Sequence, residues 1–239
     1  MLKKLTLILL LSFVIKAQDY EKVGLISKFG AAAGFTPVWT FPNVSPINNY
    51  LQTFGVEEIN SSGFIGYGGS GYIYILVVKN LRVGGIGFGG TTTLKSLNNN
   101  GRSAEYYSGM GGLTIEYTLP FIKDFAVSLG GIIGGGSNSI NLYQNNGNQD
   151  WDDIWKDFNS SSLNQRRELS NSFFTVTPTI NIDYPLNRFI AFRIGAGYTI
   201  PFSTTWESDN GNEISNLPAD LSSRSFFIQT GIFVGFFAF

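Results

Sequence analysis

The chain has 239 residues, of which 43% are hydrophobic, 15% aromatic and only 14% charged, and it has 29 glycines but neither histidine nor cysteine. Without cysteine there can be no disulfide, thiolate metal site or lipid-modified amino-terminal cysteine, and a formal net charge of −1 speaks against a nucleic-acid partner. High hydropathy with no stretch after residue 17 able to form a spanning helix leaves a closed sheet in lipid, because only helices and closed barrels satisfy every backbone polar group there. A soluble sandwich or lipocalin-like barrel would also give strands of period 2, but its outer face would be expected to carry charge.

In chain order, Lys3 and Lys4 precede an apolar run from Leu5 to Ile15, and Lys16 and Ala17 lead to a polar start at Gln18. This is the layout of a secretory signal peptide, and the run is too short to span as a helix. Residues 1–17 are expected to be removed, with Ile15 and Ala17 at the positions the peptidase inspects. The mature chain, 18–239, would keep 13 basic and 17 acidic side chains, a net of −4, since Lys3, Lys4 and Lys16 leave with the signal.

Eight strands are predicted, at about 25–39, 63–78, 82–94, 105–119, 125–142, 173–184, 189–200 and 224–239. The sixth and seventh alternate most strictly. Phe174, Val176, Ile180, Ile182 and Tyr184 oppose Thr175, Thr177, Thr179, Asn181 and Asp183; Ile190, Phe192, Ile194 and Tyr198 oppose Ala191, Arg193, Gly195 and Thr199. Such alternation marks a sheet whose faces meet unlike environments, the bulky face suiting lipid and the small polar face a narrow interior. Pro178 lacks a ladder donor and should mark a bulge or locally opened pairing. Gly66, Gly68 and Gly71 match a dinucleotide-binding spacing, but they sit in a strand pattern with no following helix, so the match is a coincidence. These glycines are expected to let strands curve and to make room for Tyr72 and Tyr74.

Connections after the second, fourth and sixth strands are short; those after the first, third, fifth and seventh are long, at 40–62, 95–104, 143–170 and 201–223. Two of the long ones carry helical spacing. Ser45 is expected as an N-cap, with Pro46 at the first helical position and Ile47, Tyr50, Leu51 and Phe54 on one stripe ended by Gly55. Trp151, Ile154, Trp155 and Phe158 repeat the stripe opposite Asp152, Asp153, Lys156 and Asp157. Both helices are expected to pack on the rim; the sharper reading is a recognition surface in which Trp151 and Trp155 stack on a sugar or peptide and the acidic cluster with Asp152 and Asp153 holds a cation. No metal site is assigned, because the acidic cluster lacks a calcium-loop spacing.

Lys28, Glu116 and Arg193 fall on the predicted inner face at similar depth. Isolated charges in a narrow, partly dry lumen are costly, so Glu116 is expected to pair with Arg193, Lys28 or both. A packed polar interior is favoured over an ion path, since eight strands leave just enough width for side chains to fill.

The final strand carries Phe233, Phe237 and Phe239 at alternate positions and stops on Phe239. It resembles the closing strand of small eight-stranded bacterial outer-membrane β-barrels. The resemblance implies the bacterial outer membrane as location, its lipid bilayer as surroundings, and barrel-assembly machinery as the partner reading the strand that ends in Phe239. The fold class expected is an all-β, eight-stranded antiparallel transmembrane up-and-down β-barrel with short helices in the extracellular loops. The known enzymes of such barrels use histidine, and none is present, so no catalytic residue and no cofactor are assigned. The chain is expected to be a monomeric structural or interaction protein that presents loops 40–62, 143–170 and 201–223 to an extracellular ligand above a side-chain-filled lumen. A small conduit for apolar or small polar solutes, with a lateral opening near Pro178, is the alternative; a barrel enzyme with unusual residues is the third reading.

Overall fold

Period-2 alternation decides which side chains meet lipid and which meet the barrel axis, and the backbone obeys it along eight strands. The computed structural model describes residues 29–122, 125–148, 150–154 and 164–238. Strand β1 runs through Phe29–Phe35 and resumes as Val38–Pro42. Helix α1 (Ser45–Phe54) follows, then β2 (Phe64–Tyr74), β3 (Leu81–Leu94), β4 (Arg102–Thr118) and β5 (Ala126–Asn145). A single helical turn, α2 (Trp151–Ile154), precedes β6 (Asn164–Pro185), β7 (Ile190–Ser208) and β8 (Ser225–Ala238). Each strand pairs antiparallel with the next, and β8 pairs with both β7 and β1, which closes the ring. A two-residue strand, Asn212–Glu213, folds back on the end of β7.

The short turns lie at one end of the barrel and the long connections at the other. Phe29 is paired with Ala238 at the short-turn end, as an even number of strands requires. Pro37 interrupts β1 without shifting it: Phe35 faces Ile232 and Val38 faces Gln229 in one continuous register. Pro178 acts similarly. The β6–β7 ladder skips Thr177 and Pro178 and resumes in the same register, while the bulge lies elsewhere, between Ser172 and Phe174. The missing N–H therefore opens the pairing locally and no more.

Strands β6 and β7 reach well beyond the predicted 173–184 and 189–200, turning parts of the predicted loops 143–170 and 201–223 into ladder. Outside lipid both faces meet water, so Asn164, Gln165, Arg166, Arg167 and Glu168 carry no alternation to reveal a strand. Helix α1 also differs at its start. Val44 is the N-cap, with no side-chain cap bond, and Ser45 is already helical, with Pro46 in the first turn. Gly55 ends the helix in the left-handed region, at φ 89°, as its position in the stripe predicts.

On the outside, Phe35, Ile73, Leu113, Ile133, Ile180, Ile194, Ile232 and Val234 stand exposed in a continuous apolar band. Tyr107 and Tyr117, both exposed on β4, bracket it. Ten residues at about 3.3 Å each, tilted by about 40°, give a height of about 25 Å, the thickness of a lipid-facing band. Among the described residues of the spanning stretches, the Asp, Glu, Lys and Arg residues are Arg82, Glu116, Asp183 and Arg193, and all four are buried inside.

Candidate functional site

Strand pairing sets the innermost layer. Arg82 on β3 lies opposite Glu116 on β4, and Asp183 on β6 lies opposite Arg193 on β7. Each pair is oppositely charged across neighbouring strands, and the two pairs meet across the lumen. Arg82 Nε is 2.7 Å from Glu116 Oε2, and its Nη1 is 2.6 Å from Asp183 Oδ2. Arg193 Nε donates to Asp183 Oδ1 at 2.6 Å and Nη1 to Glu116 Oε1 at 3.2 Å. The four charges thus alternate around a ring and sum to zero. Arg82 Nη2 also donates to Ser128 Oγ at 2.7 Å, and Asn181 Nδ2 to Glu116 Oε1 at 3.1 Å. The Tyr72 ring lies under both guanidiniums, 4.5 Å from Arg82 and 4.8 Å from Arg193. Burial this complete is tolerable only because each charge has partners on more than one side.

Sequence reasoning joined Glu116 to Arg193, and the structure brings them together. Lys28, the third predicted member, lies outside the described residues. Arg82 and Asp183 were missed as members. Asp183 already stood on the predicted inner face, and counting back across the short turn at Leu186 would have set it opposite Arg193. Arg82 shares its parity with Ile86 and Phe88, both of which turn inward.

An apolar layer fills the lumen beside the quartet: Val38, Ile86, Phe88, Met110, Ile132 and Phe227, with the Phe88 and Phe227 rings 5.1 Å apart. On the other side, Phe233 and Phe237 point inward to join Tyr72, Tyr74 and Ala32. The alternate phenylalanines of the last strand therefore fill the interior, and Ile232, Val234 and Phe236 meet lipid; Phe239 lies outside the described residues. A cavity of about 10 Å³ at this level is bordered by Glu116, Asn181, Arg193 and Gln229. That is room for about one water. Gln229 Oε1, buried there, has no hydrogen-bond partner among the described residues.

At the long-loop end the chemistry changes. Helix α1 turns Ile47 and Leu51 onto Val56, Ile59, Leu94, Tyr106, Ile140 and Trp206. Asn48 fastens the following loop by donating to Ile59 O at 3.0 Å and accepting from Ile59 N at 2.9 Å. Val56 bridges to Ser96, and Asn43 N donates to Arg224 O at 3.1 Å, tying the first long connection to the second and the fourth. Between α1, the upper parts of β5–β7 and residues 214–221 lies a pocket of about 280 Å³. Ile47, Leu51, Phe54, Leu142, Leu169, Trp206, Leu217 and Leu221 are among its walls, and among the described residues no charged side chain lines it.

The predicted loop recognition residues are only partly described. Trp151 stands 70% exposed and Asp152 is exposed, its N–H donating to Asp150 Oδ1 at 3.1 Å. Trp155 lies outside the described residues, and Asp153 is described only as part of α2. Among the described residues, no group of three or more carboxylate, histidine or cysteine side chains is placed to hold a metal.

The band height, the closed ring and the inward placement of Arg82, Glu116, Asp183 and Arg193 decide the architecture. The chain is an eight-stranded transmembrane β-barrel. No protein-family model and no curated protein sequence matches it. In fold it is similar to a major outer membrane protein from Thermus thermophilus, with a TM-score of 0.47 and 11% identity over 87% of this chain and 99% of that one. The attachment invasion locus protein Ail of Yersinia pestis gives 0.42 and 10%, over 88% and 99%. The outer membrane protein OprG from Pseudomonas aeruginosa gives 0.41 and 12%, over 90% and 99%.

Proposed function

We propose that the protein is a bacterial outer-membrane barrel that works at its extracellular end as an interaction protein, with its lumen closed. The observation that carries this reading is the neutral ring of Arg82, Glu116, Asp183 and Arg193, stacked against an apolar layer with a cavity of only about 10 Å³ between side chains. A solute path would have to break several buried ion pairs at once. Residues 1–17 serve as the signal peptide, and the strand ending in Phe239 presents itself to the assembly machinery. The long connections face outward, and exposed Trp151 and Asp152 belong to the surface they offer.

Planar-bilayer recording tests the closed lumen. The full mature chain is expected to show no steady conductance; a steady conductance would overturn the reading in favour of a conduit. Surface proteolysis of intact cells is expected to cut the loop around Trp151 and to spare the turn at Asn80. Cleavage at Asn80 instead would reverse the orientation.

A further inference from the structure

We propose that the pocket beneath α1 binds a single-chain anionic amphiphile, a medium-length alkyl carboxylate, with its chain among the apolar walls and its head at Arg102. This rests on the reading of the extracellular end as the working end, and it names the ligand class. The pocket's volume, about 280 Å³, falls just below the range of about 300–1,000 Å³ for small-molecule sites, which suits one chain rather than a two-chain lipid. Its walls offer almost nothing to a polar ligand: Asn216 is the one amide or charged side chain among them.

The head assignment comes from what adjoins the pocket. Phe54 and Leu142 wall it on one side and wall a second hollow on the other, and that hollow is lined by Arg102, Arg166 and Arg167. The three arginines differ. Arg166 is 2.9 Å from Glu168 Oε2, and Arg167 is 3.4 Å from Asp209 Oδ2, so both are neutralised. Arg102 has no carboxylate partner among the described residues. Its Nε donates to Gln144 Oε1 at 2.6 Å and its Nη1 to Phe54 O at 2.8 Å, which fixes the guanidinium 5.0 Å from the Phe54 ring. Nη2 is left without an acceptor among the described residues. A half-buried guanidinium that is held in place and has no carboxylate partner among the described residues, in a hollow that shares its Phe54 and Leu142 walls with an apolar pocket, matches a carboxylate carried on a hydrocarbon chain.

The test uses the full mature chain in lipid nanodiscs, with Trp39, Trp151 and Trp155 replaced by phenylalanine so that Trp206, in the pocket wall, reports alone. Bromine quenches tryptophan on contact, so ω-bromoundecanoate and ω-bromoundecanol serve as probes. The acid is expected to quench saturably, and the alcohol to need about tenfold more, the worth of one charge-assisted bond. Arg102→Gln should bring the acid to the level of the alcohol and leave the alcohol unchanged. Leu221→Trp, read by displacement of radiolabelled undecanoate, should fill the pocket and abolish saturable binding. Unsaturable quenching, equal affinity of acid and alcohol, or indifference to Arg102→Gln would each overturn the proposal. Liposome swelling in arabinose separates this from the closed lumen. Swelling with saturable quenching intact would sink the closed lumen alone, whereas absent quenching without swelling would sink the ligand alone.

Discussion

The lumen and the pocket above it are filled on opposite principles. In the lumen, four charges from four strands meet at 2.6–3.3 Å, and every one of them depends on the others. At the long-loop end, apolar side chains from α1, β5, β6, β7 and residues 214–221 surround a space they do not fill. A group in the first region is worth little by itself and much in company, because a buried ion pair roughly balances its own desolvation while an orphaned charge does not. A group in the second contributes in proportion to the apolar surface it covers, and its loss is confined to its neighbourhood. One region suits permanence, the other occupancy.

The hardest blow to this contrast is Glu116→Ala. It leaves Arg82 and Arg193 facing one carboxylate, and urea unfolding of the reconstituted barrel should show a loss of about 3–5 kcal/mol. Replacing Arg82, Arg193, Glu116 and Asp183 together by Met, Met, Leu and Leu should restore most of it. A quadruple variant as unstable as the single one would show that the charges act independently. Leu51→Ala comes next, at about 2–3 kcal/mol, low for a buried leucine because the site already borders a cavity. Its effect should appear as faster protease cutting within 43–63 and leave heat-modifiable migration of the barrel unchanged. Gly55→Ala should cost about 1 kcal/mol of the same local stability, since φ is 89° there and a Cβ would stand 2.8 Å from Asn100 Nδ2. Glu168→Gln is the smallest. Its pair with Arg166 is exposed on both sides, so the unfolding midpoint should move by less than about 0.5 kcal/mol equivalent.

How far each region could be read from the sequence follows from the same contrast. The lumen and the lipid face were legible because a bilayer imposes one environment on every second residue. That is why Ile180 and Asn181, or Ile194 and Arg193, sort without ambiguity. Glu116 and Arg193 were found as partners from parity and depth alone. Arg82 and Asp183 needed the hairpin registers as well, and those depend on turn length. Above the lipid the signal fades. Arg166 and Arg167 are neighbours in a strand, yet both are exposed, so no rule of two separates them. The stripe of α1 was visible, while the pocket it helps enclose joins Leu51, Ile140, Leu169, Trp206 and Leu221, residues brought near only by closure of the barrel. Ser45 reads as a cap by composition; the chain instead starts the helix from Val44 and leaves the cap without a side-chain bond.

The charged ring also acts on how the polypeptide is threaded. Its members sit on β3, β4, β6 and β7, and slipping any one of these by a single residue would swing its charge from the axis into hydrocarbon. The ring lies at the edge of the apolar band, one residue from Tyr117, where an outward-turned arginine costs up to about 1 kcal/mol, so the larger penalty is the loss of its two carboxylate partners. Wrongly aligned hairpins are thereby penalised during insertion, and the quartet works as a proofreading mark for the whole cylinder.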